Sequence, residues 1–207
     1  MLVDKSYKEY LDLLSSDSPS PGGGSVSAAS GGLAVSLMQM VCNLSLGKKD
    51  LQAYQDEIKG HLDASKEYKD FFIKSVDEDS EAFNLVIKAF RLAKETEEEK
   101  MARSQQIQLG YKHAAQVPFD VMKKAYDFLG HLEALVDITN QSAITDIHVS
   151  ALQILACMEG AFANVTINLA SIKDEDFVLE KKQAMEMMLK DAKGRIDELK
   201  NTIIERL

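Results

Sequence analysis

The chain has 207 residues, of which 45% are hydrophobic and 28% charged, a composition that fits a globular protein and disfavours a disordered one. It has only three prolines, and five of its 11 glycines fall between positions 22 and 32. An all-β sandwich or barrel is disfavoured, because such folds need a turn about every 8–12 residues. The net charge of −9 disfavours nonspecific nucleic-acid binding, which depends on Lys and Arg contacts with phosphates.

The cysteines and the N-terminus favour a cytoplasmic protein. Cys42 and Cys157 each lie in a strongly apolar stretch, as expected of buried free thiols in a reducing compartment. The Cys and His residues do not show metal-ligand spacing, so we predict no metal site. The first ten residues lack the basic and then apolar regions of a signal peptide.

The N-terminal elements are a short helix, a loop and a long helix. Apolar spacing predicts an amphipathic helix over residues 4–15 and a loop over residues 16–24. Ser25 is the predicted N-cap of the next helix, because a serine side chain accepts hydrogen bonds from the first free amides. That helix is predicted to end at about Leu46, with Gly47 as its C′ residue.

No charged residue occurs between Ser18 and Gly47, a length that raises the question of a membrane span. The run starts with a Pro- and Gly-rich loop, and the helix after it holds too many polar residues for insertion to be favoured. We therefore expect a helix buried on all sides and no membrane partner. Small residues recur along it at four-residue steps, which would let another helix or a second subunit approach closely: Ala28, Gly32 and Ser36.

The middle of the chain is predicted to form very long helices. Residues 50–93 show helical apolar spacing and form one helix, or two with an irregularity at the acidic segment 77–81. Thr96 and Glu99 form a capping box at the start of the next helix. Pro118 is predicted to kink or restart that helix, because proline removes a backbone donor.

The last third contains two more predicted helices. Thr139 and Asn140 mark a junction, and residues 141–171 form a second strongly apolar helix. Asp174 is predicted to cap a charged, amphipathic helix over residues 175–206. The whole pattern predicts a single all-α domain over the full chain, a bundle of about six long, mainly antiparallel helices.

The polar residues of the apolar helices are the first functional candidates. Asn164 and Asn168 share a helical face, and Asp146 lies earlier in the same helix. Hydrogen bonding between helices is the simpler explanation for one buried asparagine. The set, with its carboxylate, favours a site.

The PGGGS segment is the second candidate. Three glycines before a helix N-terminus expose backbone donors and allow a ligand to approach closely, although the same composition also suits a flexible linker. Lys48 and Lys49 follow the far end of that helix, roughly 30 Å away. Within one subunit these two lysines would not meet the glycine loop of the same helix. They could meet the end of another helix, or the glycine loop of a second subunit.

A family resemblance begins in the segment SPSPGGGSVSAASGGLAVSLMQMVCNLSLGKK. This segment resembles the formiminotetrahydrofolate cyclodeaminase family, which includes the cyclodeaminase half of formiminotransferase-cyclodeaminase and bacterial methenyltetrahydrofolate cyclohydrolases. The similarity continues through DSEAFNLVIKAFRLAKETEEEKMARSQQIQ, the VP at 117–118, TNQSAITDIHVSA and AFANVTINL, so it spans roughly residues 15–175. Mild departures occur at Ala93, Thr139 and Thr145. We expect formimino transfer to belong to another polypeptide.

The resemblance implies an all-α enzyme of one-carbon metabolism and histidine degradation. Its substrate would be a tetrahydrofolate derivative, with or without a polyglutamate tail, and the protein would be a homodimer or larger homo-oligomer. In the implied reaction, N10 of 5-formimino-tetrahydrofolate attacks the formimino carbon, and ammonia leaves to give 5,10-methenyl-tetrahydrofolate. This acid–base chemistry implies no cofactor beyond the folate substrate itself.

Asp146 is the first candidate for the acid–base carboxylate, because an apolar helix could raise its pKa. Asp79 is the second, with a solvated surface acid as the alternative interpretation. The substrate-binding candidates would hold the ligand against the backbone, bind the pterin or formimino group, or attract the glutamate tail. They are Gly22, Gly23, Gly24, Ser25, Lys48, Lys49, Lys94, Arg103, Asn140, Asn164 and Asn168.

Three alternatives remain open from the sequence. A methenyltetrahydrofolate cyclohydrolase would use acid–base groups around the same carbon. A noncatalytic bundle could bind a folate or a partner without turnover. In a purely structural scaffold, the buried polar residues would only specify packing.

Overall fold

The computed structural model describes all 207 residues, and every regular element is helical. Three short 3₁₀ helices lie at Leu2–Asp4, Lys49–Tyr54 and Gln141–Ala143. The prediction of an all-α fold with about six main helices is confirmed. The α-helices are α1 (Tyr7–Leu14), α2 (Gly23–Ser45), α3 (Gln55–Phe90), α4 (Glu97–Leu135), α5 (Ile144–Leu169) and α6 (Glu175–Ile204).

Helices α2 to α5 form an antiparallel ring of four. Helix α2 packs between α3 and α5, and α4 closes the ring on the opposite side. The α2–α3 pair illustrates the direction: Gln39 donates to Ser65 at 2.9 Å, while Ser25 contacts Asp79. Helix α6 lies outside the ring against α4 and α5. The predicted mainly antiparallel packing is therefore confirmed.

The two apolar helices α2 and α5 are neighbours in the ring and pack against each other. The Ser150 hydroxyl donates to the Ala34 carbonyl at 2.7 Å, and both residues are fully buried. By length and composition alone, Gly23–Ser45 and Gln141–Leu169 could each cross a bilayer. One side of each helix packs in a core of 37 buried hydrophobic residues. The prediction that α2 is buried on all sides is wrong, because Leu33 and Leu44 on its other side are 57% and 48% exposed.

The start of α2 corrects one prediction. The N-cap is Gly22, and Ser25 lies inside the first turn, so the predicted loop ends two residues early. Ser25 does not cap α2, because its hydroxyl donates to the Val76 carbonyl of α3 at 2.8 Å. Gly47 has a φ of +79°, which confirms it as the left-handed C′ residue.

The irregularity predicted at 77–81 and the restart predicted at Pro118 are both wrong, while a kink at Pro118 stays a prediction. Helix α3 passes through residues 77–81 without a break. Helix α4 runs on through Pro118, which lacks the N–H that would bind the Ala114 carbonyl. The Asn168 side chain supplies the missing donor, with Nδ2 3.0 Å from that carbonyl oxygen. A contact from α5 therefore compensates for the proline.

Local capping predictions succeed. Thr96 and Glu99 form the predicted capping box at the start of α4. Asp174 caps α6 by accepting a hydrogen bond from the Phe177 amide at 3.1 Å. These interactions span three residues, so the sequence pattern specifies them directly.

Gly31 allows α2 and α3 to pack closely. A Cβ atom at this position would lie 2.5 Å from the ring of Phe72, which is fully buried. At the neighbouring Gly32, a Cβ would meet only the Phe72 Cβ, at 3.8 Å. Two adjacent glycines therefore differ sharply in the space around them.

We expect Gly31→Ala to lower the free energy of unfolding by about 1–3 kcal/mol, because overpacking displaces a buried ring. The matched control Gly32→Ala should leave it unchanged or raise it by up to about 1 kcal/mol, since alanine favours the helix. Urea denaturation followed by circular dichroism measures both values. Equal effects of the two substitutions would contradict this packing.

Candidate active site

A cleft of about 360 Å³ opens where the N-terminus of α2 meets the C-terminal end of α5. Helices α3 and α4 form its other walls. The cleft contains several of the residues predicted from sequence, together with aromatic and aliphatic side chains. Its lining consists of Pro19, Ser20, Gly22, Gly23, Asp79, Phe83, Tyr111, Ala114, Asn164, Ile167, Asn168 and Ser171.

Asp79 reaches the cleft from α3 and lies against the first turn of α2. Its Oδ2 accepts a hydrogen bond from the Ser25 amide at 3.1 Å, and the Ser25 hydroxyl lies 3.5 Å away. A Cβ at Gly24 would lie 1.9 Å from Asp79 Oδ1, so the carboxylate approaches this closely only because position 24 is glycine. Asp79 thus supplies a long-range cap to α2.

Burial raises the pKa of the Asp79 carboxyl above its ordinary value, and the hydrogen bonds from the Ser25 amide and hydroxyl partly oppose this rise. A carboxyl that holds its proton to higher pH is suited to exchange protons with a substrate near neutrality. Asp79 is therefore not the solvated surface acid of the alternative interpretation.

The first turn of α2 also supplies hydrogen-bond donors. The amides of Gly23 and Gly24 have no acceptor within the chain, as is usual for the first residues of a helix. The helix dipole adds partial positive charge at this end. Together they favour a carbonyl oxygen or an anionic group of a ligand.

Asn164 and Asn168 supply acceptors from α5. The Asn164 Nδ2 donates to the Gly160 carbonyl at 2.8 Å. The Asn168 Nδ2 donates to the carbonyls of Ala114 and Asn164, at 3.0 and 2.8 Å. Both amide nitrogens are engaged, so the carboxamide oxygens remain as acceptors for N–H groups of a ligand.

Sequence reasoning missed the apolar walls of the cleft. Phe83 lies one helical turn after Asp79, so four-residue spacing could have revealed it. Ile167, 71% exposed, similarly follows Asn164 by three residues. Tyr111 had no local signal, because only the packing of α4 brings it here.

Four predicted site residues lie at the opposite end of the bundle. Asp146 is half-buried in the first turn of α5, 18 residues from Asn164 and therefore about 27 Å away along the helix. Lys48 and Lys49 follow the C-terminus of α2. The Asn140 side chain caps the 3₁₀ helix by accepting from the Ser142 amide at 3.2 Å. A single chain does not bring these residues to the cleft.

Lys94 and Arg103 lie where α3 and α4 extend past the cleft. Lys94 is exposed in the connection between the two helices. The Arg103 guanidinium donates to the Phe90 carbonyl at 3.1 and 3.2 Å, and so binds the C-terminal end of α3. The Phe90 ring contacts Tyr111 with centroids 6.2 Å apart, which places Arg103 two contacts from the cleft.

The cleft combines one carboxyl of raised pKa, free backbone donors, two carboxamide acceptors and aromatic walls. These groups can transfer protons and orient a planar, polar ligand. Fold and cleft together define an all-α protein with a site suited to acid–base chemistry.

Comparison with known proteins identifies the family. The profile described as formiminotransferase-cyclodeaminase matches residues 6–187, so this chain belongs to that family. The methenyltetrahydrofolate cyclohydrolase of Methylorubrum extorquens is 32% identical over 198 residues, 96% of this chain and 95% of the relative. The formimidoyltransferase-cyclodeaminase of Gallus gallus is 32% identical over 192 residues, 93% of this chain but only 36% of that longer protein.

A solved structure agrees with this assignment. The crystal structure of formiminotetrahydrofolate cyclodeaminase from Thermotoga maritima superposes with a TM-score of 0.82 at 28% identity. The alignment covers 100% of this chain and 98% of the other. The predicted resemblance to this family is confirmed, and its named members are folate enzymes.

We expect Gly24→Ala to lower the free energy of unfolding by about 1–3 kcal/mol, because the new Cβ displaces the Asp79 carboxylate. The clash is specific, so the same substitution in an Asp79→Ala background should cost nothing. Urea denaturation of the four proteins in this double-mutant cycle measures the coupling. Additive effects would show that the two residues do not meet.

Proposed function

We propose that this chain is a folate-dependent one-carbon enzyme that cyclises 5-formimino-tetrahydrofolate to 5,10-methenyl-tetrahydrofolate and releases ammonia. The observation that carries the proposal is Asp79, a carboxyl of raised pKa held at the glycine N-terminus of α2 inside the cleft. Family membership supplies the substrate class. Asp79 replaces Asp146 as our first candidate, because Asp79 lines the cleft.

One carboxylate can perform both proton transfers of this reaction. N10 attacks the formimino carbon of the protonated amidine, and the Asp79 carboxylate takes the N10 proton. The resulting carboxylic acid gives that proton to the amino group on the same carbon. The C–N bond then breaks, ammonia leaves, and the bridging carbon remains as the methenyl cation between N5 and N10.

The cleft walls would hold the substrate in reactive geometry. The rings of Phe83 and Tyr111 would pack on the pterin or benzoyl ring. The carboxamide oxygens of Asn164 and Asn168 would accept from substrate N–H groups. Backbone amides of the glycine segment would bind a carbonyl oxygen. Such positioning lowers the barrier of a ring closure substantially.

The second candidate is methenyltetrahydrofolate cyclohydrolase activity. It is favoured by the Methylorubrum extorquens relative of that name, which this chain matches over nearly its whole length. In this reaction Asp79 would take a proton from a water that adds to the methenyl carbon. Both candidates need the same cleft and the same carboxylate.

Absorbance of the methenyl product distinguishes the two reactions, because cyclisation creates it and hydrolysis consumes it. We expect purified protein to turn over one of the two folates. The methenyl absorbance should rise with 5-formimino-tetrahydrofolate if the protein is a cyclodeaminase, or fall with 5,10-methenyl-tetrahydrofolate if it is a cyclohydrolase. We expect Asp79→Asn to lower kcat by at least about 100-fold, because general acid–base catalysis contributes about that factor or more. Failure of the wild type on both folates would overturn the proposal.

Stability measurements separate lost chemistry from lost folding. Since the folded pKa of Asp79 is raised, this group stabilises the fold most below its unfolded pKa of about 3.9, and that contribution is lost as pH rises through the folded pKa. Asp79→Asn should therefore be at least as stable as wild type at pH 7 in urea denaturation.

Asp146→Asn, assayed in parallel, should retain turnover if one subunit holds the complete site.

We also propose that the chain forms a homodimer through the outer face of α2. Val26, Leu33 and Met40 recur there every seven residues and are 38%, 57% and 40% exposed. The face is uncharged, because no charged residue occurs anywhere in this helix. A second copy, with the same uncharged face, would cover these side chains.

Leu33→Lys should convert the dimer to a monomer at micromolar concentration in sedimentation equilibrium, because it places a charge in the apolar face. Leu179→Lys on α6 is the matched control, since Leu179 is 56% exposed and lies outside this face. The control should remain dimeric. A wild type that sediments as a monomer would exclude both the dimer and any site shared between subunits, including one that uses Lys48, Lys49 or Asp146.

A further inference from the structure

An apolar groove of about 350 Å³ lies between the N-terminal segment, α2 and α3. It shares no lining residue with the candidate active-site cleft, whose volume is similar. Volumes of this order are typical of sites for small organic ligands, and such sites are lined mainly by apolar side chains. The proposed folate chemistry does not use this groove.

The small-residue stripe of α2 forms the floor of the groove. Ala28, Gly32 and Ser36 all line it, while Phe72 and Val76 line the wall formed by α3. A Cβ at Gly32 would meet only the Phe72 Cβ, at 3.8 Å, so the space above the floor is open. The small side chains of α2 therefore create a narrow apolar channel along the surface of the bundle.

The charged side chains that line the groove are both lysines. Lys69 belongs to α3 and Lys5 to the N-terminal segment, and no acidic residue lines the groove. Neither lysine forms an ion pair within the chain. Glu9, one helical turn after Lys5, accepts hydrogen bonds from the amide and hydroxyl of Ser6 at 2.8 and 2.7 Å. In a chain of net charge −9, the groove is a local site of positive charge that attracts an anionic group.

The two ends of the groove differ in electrostatic potential. Lys69 and Val76 are seven residues apart on α3, a distance of about 10 Å along the helix. Asp79 lies one turn beyond Val76. Burial raises the pKa of the Tyr10 hydroxyl, and the charge of Asp79 raises it further. The end near Asp79 is therefore unfavourable for an anion, whereas the end at Lys69 favours one.

We propose that the groove binds a free medium-chain carboxylate, with its anionic group beside Lys69 and Lys5 and its alkyl chain over the small residues of α2. A zigzag of carbon–carbon bonds of about 1.5 Å extends about 9–11 Å over about eight to ten carbons, which matches the length of the groove. Burial of the chain supplies the affinity, and the two lysines orient the ligand.

A second copy of the chain is the competing occupant. Leu33 lines the groove and also belongs to the outer face of α2 that we propose for the dimer. That face is uncharged, so a second copy seated in the groove would offer the two lysines no anionic partner. A carboxylate pairs with them, and the charges of the groove therefore favour the small ligand.

The test titrates the full chain with sodium hexanoate, octanoate and decanoate, below the concentrations at which they form micelles, in isothermal titration calorimetry. We expect one site per chain. Affinity should rise between about twofold and fourfold for each added CH₂, because each buried CH₂ leaves water. Decanol, which has the same chain without the charge, should bind more weakly than decanoate, and decyltrimethylammonium should bind more weakly still.

Variants of the floor and of the charged end test the two parts of the groove separately. Gly32→Leu fills the floor and should weaken decanoate binding by about tenfold or more. Gly60→Leu is the matched control, because a Cβ at this exposed position of α3 meets nothing within 4 Å and Gly60 lies outside the groove. Both changes favour the helix, so both variants should fold, as circular dichroism would verify. Lys69→Met should weaken decanoate binding by up to about fivefold, the range of an exposed ion pair.

Three results would overturn the proposal: an affinity independent of chain length, equal binding of decanoate and decyltrimethylammonium, or unchanged decanoate binding by Gly32→Leu. Sedimentation equilibrium supplies a fourth. Decanoate that binds only as the dimer dissociates would assign the groove to a second copy. Folate turnover by Gly32→Leu should stay at the wild-type level, since Gly32 lies outside the cleft, so this proposal and the proposed function can fail independently.

Discussion

The contact between Asp79 and the first turn of α2 is the interaction on which the candidate site depends. A helix that starts with three glycines has no side chain of its own to satisfy its first amides, and α3 supplies the missing acceptor from 54 residues away. The absence of a Cβ at Gly24 makes the approach possible. The same contact fixes the position of a partly desolvated carboxylate beside free backbone donors. The Asp79 carboxylate that caps α2 is therefore also the candidate acid–base group.

A second contact couples the site to the fold in a similar way. Pro118 leaves the Ala114 carbonyl without its helical donor, and the Asn168 carboxamide replaces that donor from α5. The hydrogen bond commits the nitrogen of Asn168 to structure and leaves its oxygen for a ligand. It also keeps α4 helical through the proline, which holds Tyr111 on the wall of the cleft. The polar residues of the site therefore also support the helices that position them.

Antiparallel packing divides the predicted site residues between the two ends of the bundle. Helix α5 begins beside the end of α2 and ends beside its start, so Asp146 and Asn168 lie a helix length apart although both belong to α5. Sequence proximity within one helix was therefore a poor guide to membership of one site. A second subunit is the only arrangement that could bring Lys48, Lys49 or Asp146 to a cleft, which ties the question of these residues to the oligomeric state.

The sequence by itself determined the helical class, the caps at Thr96 and Asp174, the left-handed Gly47 and the family resemblance. These features depend on periodicity or on interactions that span at most four residues, which a linear pattern records. It also named Asp79, Asn164 and Asn168, but it ranked Asp146 above Asp79, because the burial and partners of these side chains come from other helices. Only the tertiary structure decided that Ser25 serves α3 and does not cap its own helix, that α4 continues through Pro118, and that Asp79 lines the cleft while Asp146 does not. Each of these outcomes depends on atoms that are 50 or more residues apart in sequence and meet only after the helices have packed.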